Sequence, residues 1–206
     1  MNDSLNLDCL LVKTKAVLLE LINTAPFLQD YVLVGGSALA LHLCHRQSED
    51  LDFFTYADNF HKQDILRYLQ HFKQTEVLND NADQLDLLVD GVKVTFFNAK
   101  WAFLRPDTIK PFNVASLPAI AAMKANTLFV RAKYRDYYDL YCLVKQGMSI
   151  KDIFSAAQGV VDGISYKLLC IALLYIDDIE DDNIAYLQPK EIVSKQQIRT
   201  FFEKHL

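Results

Sequence analysis

The hydrophobic pattern of this chain changes period once, near Pro111. Before that point, short β-branched and aromatic runs alternate with helically spaced apolar residues. After it, apolar residues recur only at helical intervals. Strand side chains alternate faces every residue and helical ones recur every 3.6, so the two patterns specify different structures. The expected fold class is α+β: a mixed sheet with flanking helices over residues 1–110, then an all-helical half over 111–206.

In the first half the pattern predicts a helix from Leu7 to Ile22, a strand at Tyr31–Val34 and a helix from Ser37 to about His45. A strand follows at Glu49–Thr55, a helix at Asn59–Phe72 and a strand at Gln74–Asn79. Gln84–Val89 and Val92–Phe97 flank Asp90-Gly91, a two-residue hairpin signal. In the second half, helices are expected at about 117–131, 134–145, 150–158, 165–176 and 191–204, with the acidic run Asp177–Asn183 as a solvated loop.

Composition narrows the function. The net charge is −5, which argues against sequence-blind nucleic-acid binding by a basic surface but leaves room for a local basic cleft. Cys9, Cys44, Cys142 and Cys170 have neither zinc-ligand spacing nor a C-x-x-C pattern, and read as buried free thiols of a reducing compartment. The first fifteen residues lack the basic start and long apolar core of a signal peptide, and the longest apolar run, Leu168–Ile176, is too short to span a bilayer. A cytoplasmic protein without membrane contact is expected.

The chemistry concentrates in Val32–Phe54, VLVGGSALALHLCHRQSEDLDFF. Gly35-Gly36-Ser37 stops a buried strand and opens a helix. Glycines there let backbone N–H groups approach an anion, and a helix N-terminus favours negative charge. Neither the phosphate-binding loop pattern G-x-x-x-x-G-K-[ST] nor the dinucleotide pattern G-x-G-x-x-G is present. Asp50 and Asp52, two apart on a strand, share a face opposite Leu51 and Phe53. Carboxylates so placed repel unless a cation lies between them, and hard oxygens suit Mg²⁺ shared with phosphates. Alone, each feature is an ordinary turn or a wet edge strand; one short helix apart, they make a compact phosphate-and-metal unit. Arg46, just past that helix, would add a cationic contact.

These residues resemble the first motif of the DNA polymerase β-type nucleotidyltransferases, and more closely the AbiEii/AbiGii toxin-like nucleotidyltransferases, with the pattern GG-[ST]-A-L, Arg and Ser, then D-[LI]-D-[FL]. A second block, MKANTLFVRAKYRDYYDLY at Met123–Tyr141, resembles that family's helical motif K-x-x-A-x-x-x-R-x-x-x-[KR]-D-x-x-D, with Thr127 in place of its Ala. The resemblance covers most of residues 25–145. It implies a Mg²⁺- or Mn²⁺-dependent enzyme moving a nucleoside monophosphate from an NTP to an acceptor hydroxyl, with RNA or a tRNA end as acceptor and a cognate antitoxin as partner. Asp50 and Asp52 would bind metal, and Gly35, Gly36, Ser37, Arg46 and Ser48 the nucleotide.

If Ala119–Val144 were one helix or nearly so, Lys124, Arg131 and Arg135 would lie within about 40° of one another, with Asp139 beside them and Asp136 further round. Lys124 or Arg131 would then meet the triphosphate, with Arg135 alongside, and Asp136 or Asp139 would orient these cations or contact the acceptor. Tyr134, Tyr137, Tyr138 and Tyr141 read mainly as packing residues.

The resemblance also implies a third metal-binding acid on the strand after the hairpin, where Thr95 stands instead. Counting back from Asp90-Gly91 pairs Asp86 with Thr95, so Asp86 is the candidate third acid. Two other readings stay open: an NTP-binding sensor without transfer, favoured by Thr95, and an interaction protein with a degenerate site, supported by the acidic loop and the tyrosine-rich segment.

Overall fold

The computed structural model describes residues 6–58, 60–179 and 184–206. It divides into two compact units, the first ending at Ser116 and the second running from Leu117 to Leu206. The sheet belongs to the first and the long helical run to the second.

The first unit contains α1 (Val12–Thr24), β1 (Tyr31–Val34), α2 (Gly35–Leu43), β2 (Leu51–Thr55), α3 (Lys62–Leu69), β3 (Thr75–Asp80), β4 (Gln84–Val89), β5 (Val92–Phe97) and β6 (Asn113–Val114). The sheet order is β3-β4-β5-β2-β1-β6. β2 runs parallel to β5 and β1 parallel to β6, while β1–β2, β3–β4 and β4–β5 are antiparallel. The two-residue β-strand β6 is too short to show a period and was not expected.

Alternation fixes which side of each central strand faces the core. Leu51 and Phe53 on β2, Leu85, Leu87 and Val89 on β4, and Val94 and Phe96 on β5 are fully buried. Phe53 stacks on Phe96 with ring centres 5.3 Å apart, and Tyr31 meets Phe96 edge-on at 5.2 Å. Each such aromatic pair adds roughly 0.5–1.5 kcal/mol beyond its area burial. The opposite face carries the chemistry. The pairings Val34–Asp52, Asp52–Thr95, Thr95–Asp86 and Asp86–Asn79 form one row across five strands.

Four expectations need correction here. The first helix begins at Val12, because Leu7–Cys9 forms a single 3-10 turn and Leu10 bridges to Ser48. β2 begins at Leu51, since the backbone of Ser48 is taken up by Cys9 and Leu11 (Ser48 N–H to the Cys9 carbonyl at 3.1 Å, Leu11 N–H to the Ser48 carbonyl at 3.0 Å). That same pairing brings Cys9 to Cys44, and the two form a disulfide with Cα atoms 5.2 Å apart. Only Cys142, buried, and Cys170, half-buried, are free thiols. The helix expected from Asn59 begins at Lys62, and Asn59 lies outside the described residues, as do positions 180–183 of the acidic run.

The second unit contains α4 (Leu117–Val130), α5 (Tyr134–Lys145), α6 (Ile150–Ala157), α7 (Tyr166–Leu174) and α8 (Lys195–Glu203). Ser149 and Asp152 form a capping box on α6, as Ser194 and Gln197 do on α8. Among the tyrosines, Tyr137 is fully buried with its hydroxyl donating to the Ala172 carbonyl at 3.0 Å, and Tyr134 donates to the carbonyl of Val193. These rings pack the helices. No helix among the described residues is long and apolar enough to cross a membrane.

Candidate active site

The glycine turn meets one acid of the pair, Asp52, in the structure. Gly35 and Gly36 are the first two residues of α2, so their N–H groups belong to the first turn, where no intrahelical acceptor exists. Gly35 has φ +69°, and a β-carbon built on it would lie 2.8 Å from Asp52 Oδ2. A β-carbon on Gly36 would lie 2.7 Å from an Arg46 guanidinium nitrogen and 3.2 Å from the Ser48 hydroxyl. The two glycines therefore open a cradle whose walls are Asp52, Arg46 and Ser48. Arg46 and Ser48 are buried, and Arg46 also donates to the Gln47 carbonyl at 2.9 Å.

Ser37 does something different from what its position in the motif suggests. It is buried, and its hydroxyl donates to the backbone carbonyl of Asp50. Thr14 holds the next carbonyl back, that of Glu49, at 2.7 Å. The N-terminus of α2 and the side of α1 thus fix the lead-in to β2, and with it the direction in which Asp50 and Asp52 emerge. Both acids are half-buried.

Asp86 lies on the Asp52 side of the sheet, two strands away, as the hairpin count requires. Its Oδ1 accepts from Thr95 at 2.7 Å, and its Oδ2 accepts from Gln84 at 2.7 Å and Asn79 at 3.3 Å. Burial pushes its pKa up, but these three donors and the charge of Lys93 outweigh burial and hold it below the usual carboxylate range. Among the described residues no three His, Cys, Asp or Glu side chains converge tightly enough to hold a metal ion together. Asp86 does not join Asp50 and Asp52 as a direct third ligand, because a whole strand separates it from Asp52. Gln84 and Asn79 escaped the sequence reading, although Gln84 could have been found: it is two residues from Asp86 on one strand and so shares its face.

The second block is not one helix. α4 ends at Val130, and Ala132 adopts φ +44°. Arg131 therefore lies beyond α4, and the chain changes direction before α5. Lys124 Nζ bonds Asp136 at 2.8 Å and Asp139 at 2.6 Å, with all three side chains buried. Arg131 grips Asp136 with two nitrogens, each at 3.0 Å. Burial raises the pKa of Asp136, but the charges and hydrogen bonds of Lys124 and Arg131 prevail and hold it low. Arg135 lies half-buried on α5.

The family described as nucleotidyl transferase AbiEii toxin, type IV TA system, matches over residues 16–110 and 102–192. The chain belongs to this family. It is accordingly an enzyme of the nucleotidyltransferase class. An uncharacterised protein of Aquifex aeolicus (strain VF5) is 28% identical over 202 residues, covering 94% of this chain and 98% of its own. Solved structures share this chain's fold, two of them over most of the chain. JHP933 from Helicobacter pylori is 17% identical with a TM-score of 0.56, over 98% of this chain and 93% of its own. MenT4, a nucleotidyltransferase toxin of Mycobacterium tuberculosis H37Rv, is 18% identical with a TM-score of 0.56, over 88% of this chain and 77% of its own.

Proposed function

We propose that this protein transfers a nucleoside monophosphate from an NTP to a hydroxyl of an RNA acceptor, a tRNA end fitting best, and that a cognate antitoxin restrains it. The observation that carries the proposal is the cradle at Gly35-Gly36, walled by Asp52, Arg46 and Ser48. It joins an anion-binding helix start, a buried guanidinium and a carboxylate in one place.

The donor set fits a hard divalent cation. Asp50, just before β2, and Asp52 within it are carboxylates two residues apart, which suits Mg²⁺ or Mn²⁺ completing its shell with water and substrate phosphate. Such an ion supplies charge neutralisation on the triphosphate and acidifies the attacking hydroxyl. The chain's own groups do the rest. The N–H groups of the first turn of α2 would hold phosphate oxygens, and the Arg46 guanidinium would stabilise the charge that grows as pyrophosphate departs. The bond from the acceptor oxygen to the α-phosphorus forms while the bridging bond to the β-phosphate breaks. Ser37 and Thr14 fix the path of the chain through Asp50, so the carboxylates need no rearrangement.

The test uses α-labelled NTPs, Mg²⁺ and total RNA with wild type and Asp52→Ala. Label on RNA that disappears in the variant supports the reading, and absence of label transfer to any acceptor overturns it. A second reading, NTP held as a signal without transfer, is favoured by Thr95 at the expected position of the third acid. It predicts NTP binding that Asp52→Ala weakens, with no transfer.

A further inference from the structure

The row across the sheet places Thr95 between Asp52 and Asp86, and its hydroxyl has one job on the Asp86 side. It donates its single proton to Asp86 Oδ1 at 2.7 Å. A hydroxyl has one donor and two acceptor positions. With the proton committed, what Thr95 Oγ1 still offers is acceptor capacity, and Asp52 is its neighbour on the other side of the row. Thr95 is 6% exposed and Asp86 8%, so the hydrogen bond is shielded from bulk water. Asp86 cannot swing away to serve elsewhere, because Gln84 and Asn79 grip its second oxygen.

We infer that Thr95 and Asp86 together replace the missing third acid: Asp86 locks the Thr95 hydroxyl as an oxygen acceptor beside Asp52, facing the hydration shell of the divalent cation. The negative charge stays one residue back and acts through a polarised hydroxyl. A Mg²⁺-type ion, which gives up water reluctantly, tolerates this arrangement, since an outer oxygen can bind it through its retained shell. Groups at this remove typically change metal affinity about 10- to 100-fold. The inference rests on the metal-dependent reading above and assigns Thr95 and Asp86 as positioning residues for it.

The experiment is a Mn²⁺ titration of the purified protein followed by the electron paramagnetic resonance of free Mn²⁺, with a thermal melt of each variant. Wild type should bind Mn²⁺ and Asp52→Asn should lose most of that binding. Thr95→Val and Asp86→Asn should each weaken binding about 10-fold, while Thr95→Ser, which keeps the hydroxyl, should match wild type. If Thr95→Val does not fold, Asp86→Asn and Thr95→Ser carry the test. Binding that Asp52→Asn abolishes but Asp86→Asn leaves unchanged overturns this inference and leaves the metal reading standing. Loss in Thr95→Ser equal to that in Asp86→Asn also overturns it, because the hydroxyl is then not the operative group. Failure of wild type to bind Mn²⁺ at millimolar concentration overturns both.

Discussion

Asp52 Oδ2 occupies the space that a side chain on Gly35 would need, 2.8 Å from where its β-carbon would sit. This close approach joins the glycine turn to the acidic strand, and it separates the two glycines by what each tolerates. Gly35 is strained for any other residue, with φ +69° and a carboxylate in the way. Gly36 has no such backbone demand, and its obstruction is the far end of the Arg46 side chain together with the Ser48 hydroxyl. Gly35→Ala should therefore lose about 1–3 kcal/mol of stability together with activity. Gly36→Ala should fold within about 1 kcal/mol of wild type and lose NTP affinity by displacing Arg46. Urea unfolding beside nucleotide binding checks both, and a Gly36→Ala variant with full affinity removes Arg46 from the phosphate site.

How far the sequence told this story depends on the range of the interactions. The five principal helices of the second unit and the Asp90-Gly91 hairpin were legible, because their signals are local: apolar period, Pro118 in a first turn, a turn dipeptide. The Thr95–Asp86 pairing was legible for the same reason, since a two-residue turn fixes register. The Lys124 network was legible only in part: its acids were expected to orient the cations, but its burial and the break between the two helices were not. A helical wheel assumes one axis, and the left-handed Ala132 breaks it, so Asp136 and Asp139 fold back onto Lys124 while Arg131 meets Asp136 beside it. The Cys9–Cys44 bond was invisible too. Spacing does not encode which cysteines meet, and the meeting depends on the Leu10–Ser48 bridge.

That disulfide closes a loop with a sequence separation of 35 residues, between the first 3-10 turn and the end of α2. Chain-entropy arguments give such a closure roughly 3–4 kcal/mol. Adding a phosphine reductant should lower the urea midpoint of wild type accordingly, and Cys9→Ser should show the lowered midpoint with or without reductant. Cys142→Ser should keep the reductant response. An identical midpoint for oxidised and reduced protein would show that the bond contributes nothing to stability.

Two carboxyls set an acid limit on the fold. Asp86 and Asp136 both have folded pKa values below the ordinary range. The unfolded chain therefore takes up these protons first as pH falls. Their contribution is present above about pH 4, the ordinary carboxylate value, and is lost below it as pH drops through the folded values. The urea midpoint should fall as pH goes from about 5 to 2.5, and Asp86→Asn should make that fall shallower. An Asp86→Asn curve parallel to wild type throughout would contradict the depressed value.

Lys124 poses the sharpest conflict between motif and structure. The resemblance implies that it meets the triphosphate, yet its ammonium lies between two fully buried carboxylates at 2.8 and 2.6 Å, with Arg131 completing the balance on Asp136. Removing one partner from such a buried network leaves uncompensated charge and costs about 3–5 kcal/mol. Lys124→Met should thus lower the unfolding free energy by that amount. The triple change Lys124→Met, Asp136→Asn, Asp139→Asn should recover part of it, because the charge that remains, Arg131, reaches solvent. A catalytic Lys124 predicts the opposite split: Lys124→Met within about 1 kcal/mol of wild type but with turnover lost. Denaturant unfolding and label transfer on the same preparations distinguish the two, and the buried geometry favours a large loss of stability.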